Sequence, residues 1–177
     1  AEDLMNKHIY PTRDIVLKAF KILEKYIKDN DRIIYGGTSI DLLINRSDNS
    51  WEIPTNEYPD YDIYTTEPIK DLHNICNLIH SQIENINING RQAMHEGTYK
   101  IYIGHRIELA DLTYIPLRLY GTIETVRMDN IRYVSHKISM IDQYRRISNP
   151  LDGSLYKLEK TMNRIFTIEN LFNSQKI

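Results

Sequence analysis

Apolar positions recur at three- and four-residue spacing from Ile15 through Val16, Ala19, Phe20 and Leu23 to Tyr26. Lys18, Lys21, Lys25 and Lys28 fall between them, so the pattern predicts an amphipathic helix with Thr12 as its N-cap. Asp29-Asn30-Asp31 breaks that helix, and residues 32–35 (RIIY) read as a short buried strand. Gly36-Gly37 then forces a tight turn, after which Ile40, Leu43 and Ile44 return to helical spacing. Residues 46–59 are polar, contain two prolines and read as a loop. Residues 60–64 (DYDIY) are a strand, and Glu67-Pro68 opens a helix that turns Ile69, Leu72, Ile75, Cys76 and Ile79 inward. Residues 83–89 alternate as a strand does, and Asn89-Gly90 is a turn signal.

Two further strands are predicted at 98–103 and 106–114, with Gly104-His105 between them at hairpin length. Beyond Pro116 come a short helix, a strand pair at 123–126 and 131–134, and a helix over 135–147. A last amphipathic helix spans 154–172, its apolar side made of Leu155, Leu158, Met162, Ile165, Phe166, Ile168 and Leu171. The expected fold class is α/β (α+β), a mixed sheet of about five strands flanked by helices.

Composition narrows the function classes. A chain of 177 residues with net charge −2, 41% hydrophobic and 26% charged residues has the usage of one globular domain. No apolar run is long enough to span a bilayer, and the opening AEDLMNKHIY lacks a signal-peptide pattern. One cysteine, Cys76, excludes an internal disulfide and a Cys-based zinc site. These features lead us to expect a soluble intracellular domain with no membrane partner. The charge is uneven: residues 1–124 carry 13 basic and 19 acidic side chains, residues 125–177 carry 9 and 5. A uniformly basic nucleic-acid binder is therefore disfavoured, while the C-terminal part could offer a local basic surface.

Three carboxylates fall on predicted strands. Asp60 and Asp62 leave one face of an extended chain, whereas Tyr61 and Ile63 leave the other. Two neighbouring carboxylates repel, and a divalent ion between them resolves the conflict. Oxygen-only ligands suit Mg²⁺, which takes one or two protein carboxylates and completes its shell with phosphates and water. If the strand of Asp111 neighbours that of Asp60 and Asp62, three carboxylates meet and can hold two ions, Mg²⁺ or Mn²⁺. Glu108, three residues from Asp111, falls on the opposite face by parity and is excluded. The turn Gly36-Gly37-Thr38-Ser39, at a strand-to-helix junction, offers backbone N–H groups and hydroxyls to an anion. Gly-Gly, Asp-x-Asp and a later Asp, in that order, form a nucleotidyl-transfer site.

In these motifs the chain resembles the polymerase-β-like nucleotidyltransferases. The wording IIYGGTSIDLL, YPDYDIYTTEP and ELADLTYIP, with the later SMIDQYRRISNP, is most similar to poly(A) polymerase catalytic subunits of large cytoplasmic DNA viruses, of the giant-virus and African swine fever type. The resemblance implies the nucleotidyltransferase fold. It also implies transfer of AMP from ATP to the 3′ end of single-stranded RNA, with release of pyrophosphate. By the same likeness Asp60, Asp62 and Asp111 are catalytic metal ligands, and Gly36, Gly37, Thr38 and Ser39 bind the triphosphate. Lys160, with Lys157 and Arg164 beside it, falls where the family has basic residues on a late helix. The implied organisation is an N-terminal helix (1–30), a catalytic domain (31–134) and a helical segment (135–177) that could begin a second domain. A homodimer or a processivity subunit, and a cytoplasmic site in a virus factory or virion, belong to the same expectation.

Other residues are weaker candidates. His8, His73, His80, His95, His105 and His136 form no metal-spaced set, and His95, at a strand start, reads as structural. Tyr58, Tyr64 and Trp51 are the aromatic candidates for base stacking. Two alternatives stay open at this point: AMP transfer to a non-RNA acceptor, and a non-catalytic RNA-binding or scaffold module.

Overall fold

A computed structural model of the chain describes residues 11–45, 58–148 and 155–174. The loop 46–57, with Trp51, and the segment carrying His8 lie outside the described residues. The elements follow in the order α1 (Arg13–Asp29), β1 (Ile33–Tyr35), α2 (Gly36–Asn45), β2 (Tyr61–Thr65), α3 (Pro68–Gln82), β3 (Ile88–Gln92) and β4 (Thr98–Ile103). Then come β5 (Ile107–Tyr114), α4 (Leu117–Thr122), β6 (Thr125–Met128), β7 (Ile131–Val134), α5 (His136–Ile147) and α6 (Leu155–Ser174).

The strands form one mixed sheet of seven, in the order β3-β4-β5-β2-β1-β7-β6. The sheet is larger than the expected five or so strands, because the short pieces at 33–35, 88–92, 125–128 and 131–134 all join it. Two pairings are parallel, β2 with β5 and β1 with β7, and the others are antiparallel. No helix among the described residues is long and apolar enough to cross a membrane.

Side-chain alternation gives the sheet two unlike faces. On β2, Tyr61, Ile63 and Thr65 are buried while Asp62 and Tyr64 between them are only half-buried. The buried side carries Ile34, Ile63, Ala110, Leu112, Ile101 and Tyr133 into the main core. There α1 adds Val16, Phe20, Leu23 and Ile27, and α3 adds Ile75 and Ile79. Thr12 stands at the N-cap of α1 with extended backbone, but its side chain makes no capping bond. Ser135 does cap α5, accepting from the Ile138 N–H.

A polar knot ties this core together. Asp71, 1% exposed at the start of α3, accepts from Tyr26 Oη at 2.7 Å and Arg32 Nη2 at 2.7 Å, and also from Thr65 Oγ1. A buried carboxylate so surrounded has its lone pairs satisfied and links α1, β2 and α3 to the residue that leads into β1.

Two local expectations are corrected. Asn89-Gly90 is not a turn: both residues lie in β3, paired with Tyr102 and Ile101 of β4. Glycine is needed there because a Cβ would stand 2.6 Å from Leu72 Cδ1 of α3. The strand therefore begins later than the alternation at 83–89 suggests, and Ile83 and Ile86 are buried in the connection. On α6, Ile165 and Ile168 are buried as expected, but Leu158 and Phe166 are exposed.

Candidate active site

The strand-to-helix junction after β1 is built around two close contacts. Gly36 has φ +73°, and a Cβ on it would lie 2.0 Å from Asp62 Oδ2. Gly37 has the opposite neighbour, since a Cβ there would lie 2.2 Å from Arg164 Nη2 of α6. The turn thus lies between a carboxylate of β2 and a guanidinium of α6; at Gly36 the positive φ and the carboxylate both call for glycine, whereas at Gly37 the flexible arginine tip would have to swing aside for a side chain. Thr38 Oγ1 donates to the Asp60 carbonyl at 2.6 Å, tying the start of α2 to the chain entering β2. Ser39 is fully buried and its Oγ donates to the Val134 carbonyl at 3.4 Å. As placed, the Ser39 hydroxyl serves the packing of α2 on β7.

The parallel pairing of β2 with β5 sets Asp62 directly opposite Asp111. On the other side, β1 sets Tyr35 opposite Asp62. Asp60 precedes β2 and is exposed, so of the three predicted aspartates two stand in register on the sheet and the third at its entrance. Among the described residues no three His, Cys, Asp or Glu side chains already converge as a metal-holding group. A cation of the chain itself stands beside Asp111, on β4. Lys100 is paired with Asp111 and its Nζ meets Asp111 Oδ2 at 2.9 Å, while Asp111 Oδ1 is buried without a partner.

Parity misplaced Glu108. The β4–β5 register shifts between Ile101 and Tyr102, which pair with Ala110 and Glu108, so Leu109 is an extra residue on β5. Leu109 and Ala110 are consecutively buried, and Glu108 emerges on the same face as Asp111. Its carboxylate forms an ion pair with Lys100 and accepts from Tyr102 Oη at 3.0 Å. Nothing in the local sequence marks this bulge, because its signal is the pairing itself.

The electrostatics show a site in want of positive charge. Burial, and then the neighbouring Asp60, push the Asp62 carboxyl up to about 7. Asp60, open to solvent on one side, is still raised, first by the protein packed around the rest of its carboxyl and then by Glu108. Burial, and then the nearby Glu108 carboxylate, raise Asp111 as well. Burial also opposes ionisation of Glu108, but neighbouring Asp111 and the Lys100 ammonium outweigh this and hold it below the usual carboxylate range. Arg146 of α5, Lys100 and Arg164 all act on Asp62 in the opposite sense, and Lys160 does so on Asp60. Lys160 and Arg164 also bear on Asp41 of α2. The helix pair α5 and α6 therefore brings its cations to the acid pair and the glycine turn, and the side chain of Lys157 lies outside the described residues.

Tyr64 is stacked on Tyr35, with ring centroids 3.7 Å apart and planes 1° from parallel, and Tyr58 is packed against Phe20. His95 lies in the turn between β3 and β4, where its carbonyl accepts from the Thr98 N–H. Lys100, Glu108 and Arg146 are the site-lining residues that the motifs did not single out.

The donor set fits a hard divalent ion. All candidate ligands are carboxylate oxygens, and Asp111 Oδ1 is an orphaned buried acceptor. A cation shared by Asp62 and Asp111 would satisfy both.

A family model described as the poly(A) polymerase catalytic subunit matches residues 21–153. The chain belongs to this family. The match contains the glycine turn, all three aspartates, Lys100 and Glu108. A protein of Acanthamoeba polyphaga mimivirus assigned as a poly(A) polymerase catalytic subunit is 27% identical over 95% of this chain and 28% of its own length. An African swine fever virus protein with the same assignment is 24% identical over 66% of this chain and 24% of its own. The crystal structure of the Megavirus polyadenylate synthase superposes with TM-score 0.77 and 26% identity, covering 92% of this chain and 32% of that one. Seven mixed strands flanked by helices are therefore the fold shared with a viral polyadenylate synthase. The chain spans about a quarter to a third of the length of these poly(A) polymerase relatives.

Proposed function

We propose that this chain carries the nucleotidyl-transfer centre of a template-independent poly(A) polymerase, which adds AMP from ATP to an RNA 3′-hydroxyl. The observation that carries the reading is the register of Asp62 with Asp111 on parallel strands, beside a glycine turn that opens α2. In the reaction the 3′-oxygen bonds to the α-phosphorus of ATP, the bond to the β-phosphate bridge breaks, and pyrophosphate leaves.

Asp62 and Asp111, with Asp60 at the entrance, would hold Mg²⁺ or Mn²⁺, two ions in the full arrangement. When bound, such ions lower the pKa of the attacking hydroxyl and neutralise charge on the leaving phosphate oxygens. Gly36, Gly37 and Thr38 present backbone N–H groups at the start of α2, where the helix dipole favours an anion. Arg164, against Gly37, and Lys160 on the same helix, whose charge reaches Asp41 and Asp60, would supply positive charge to the triphosphate. Tyr35 and Tyr64 wall the face on which Asp62 stands. A cytoplasmic setting, and a second copy or a processivity subunit as partner, are part of the same proposal.

The test is primer extension on oligo(A) with each of the four labelled nucleoside triphosphates, using the protein and its Asp62→Asn variant. The expected result is a ladder with ATP that vanishes in EDTA and in the variant. Extension by Asp62→Asn at the wild-type rate overturns the assignment. RNA binding that survives EDTA without extension would support the RNA-binding module, and labelling of the protein itself would support a non-RNA acceptor.

A further inference from the structure

Lys100 and Glu108 stand beside the acid pair and take no part in the reading above. Lys100 Nζ lies 2.9 Å from Asp111 Oδ2 and is ion-paired to Glu108 Oε1. Glu108 is held from behind by Tyr102 Oη at 3.0 Å, and the Arg91 guanidinium sits 4.0 Å from the Tyr102 ring centroid. The side chains of Lys100 and Glu108 are 28% exposed and that of Asp111 is 16% exposed, so water screens the contacts only in part. The bulge at Leu109 is what brings Glu108 to this face, and a regular β5 would leave Lys100 with Asp111 alone.

Asp111 has two oxygens. Lys100 occupies Oδ2, and Oδ1 is buried and unpartnered. A divalent ion seated on Asp111 must therefore accept one oxygen or displace an ammonium. Glu108 decides how firmly the ammonium stays, because a cation held by two carboxylates pulls less on each. If Lys100 were absent, Oδ2 and the Glu108 carboxylate would both be released to the ion.

We propose that Lys100 competes with a divalent ion for Asp111 and that Glu108 moderates that competition. This inference rests on the reading of Asp62 and Asp111 as metal ligands. Lys100 and Glu108 are then positioning residues. They keep the empty acid pair from gripping an ion tightly, so that firm binding waits for the negative charge of the incoming triphosphate.

The experiment is a Mn²⁺ titration without nucleotide, followed by the electron paramagnetic resonance of free Mn²⁺, with thermal melts alongside. Lys100→Met should tighten Mn²⁺ by roughly fivefold or more, because a unit positive charge leaves a partly buried site. Glu108→Gln should weaken it roughly two- to threefold, since Lys100 then turns wholly to Asp111. Lys100→Arg should stay within about twofold of wild type, and the Lys100→Met/Glu108→Gln double variant, which keeps the wild-type net charge, should return toward it. Loss of folding would weaken both single variants, so the opposite signs separate the proposal from a structural effect. Unchanged or weaker Mn²⁺ binding in Lys100→Met overturns it, as does absence of Mn²⁺ binding in every variant. Adding Asp62→Asn to Lys100→Met tests the parent reading separately. Tight binding that survives that change removes Asp62 as a ligand and leaves the competition for Asp111 standing.

Discussion

Replacing Gly36 with alanine should cost more than any backbone penalty explains. Gly36 sits at φ +73°, where an L residue pays about 1–2 kcal/mol for its Cβ. That Cβ would also stand 2.0 Å from Asp62 Oδ2 and 2.8 Å from Asp62 Cγ. Ordinary contact begins beyond 3.4 Å, so the carboxylate or the turn must move by well over an ångström. Forced repacking of this kind adds about 1–3 kcal/mol. Gly97 supplies the control: it has φ +77°, yet the nearest atom to its Cβ is Tyr114 Cβ at 3.5 Å. Gly97→Ala should therefore show the backbone cost alone, a drop in Tm of roughly 2–8 °C for a chain of this size. Urea denaturation of both variants gives the difference between them, and Mn²⁺ titration tells whether Asp62 has been displaced. Equal destabilisation, with Mn²⁺ binding intact in Gly36→Ala, would refute the argument that the turn and the carboxylate are fitted to each other.

Asp71→Ala should destabilise by about 3–5 kcal/mol, because it strands the Arg32 guanidinium, whose side chain is 14% exposed, in the core; a loss below about 1 kcal/mol by urea denaturation would contradict this. On α6, Ile165→Ala should cost about 2–4 kcal/mol and Phe166→Ser little, since Ile165 is 4% and Phe166 55% exposed; paired melts compare the two. In EDTA, stability should fall as pH rises from about 4 to about 7. Asp62 is pushed up to about 7 by burial and by Asp60, so over that window the folded chain holds a proton that the unfolded chain has lost. Asp62→Asn should flatten that slope, and Mn²⁺ should offset it at the upper end; a slope unaltered in the variant would assign the effect elsewhere.

What was legible in the sequence was whatever depends on neighbours along the chain. Alternation on residues 60–65 put Asp62 and Tyr64 on one side and Tyr61 and Ile63 on the other, and the burial of β2 follows it. Gly36-Gly37 announced a tight strand-to-helix turn, although not that Asp62 and Arg164 would press on it from two sides. The features that escaped arise between strands. Glu108 was misplaced because a bulge changes parity without any local signature, and Gly90 was mistaken for a turn residue because the leucine that demands it lies on α3. Seven segments read as strands, yet the sheet was put at about five, because which short strands join one sheet is decided by their partners and not by their own periodicity. The cations of α5 and α6 reach the acid pair only through packing that their own spacing does not disclose.

The parallel join of β2 to β5 has a consequence for how the chain folds. Asp62 and Asp111 cannot be brought together by a hairpin, because α3, β3 and β4 all lie between them in the chain. Hairpins such as β6–β7 and β4–β5 close over short loops and can form early, whereas joining β2 to β5 must first overcome the entropy of a long loop. The acid pair is thus created by a long-range contact, and a chain with every local element in place would still lack its charged centre until that ladder zips.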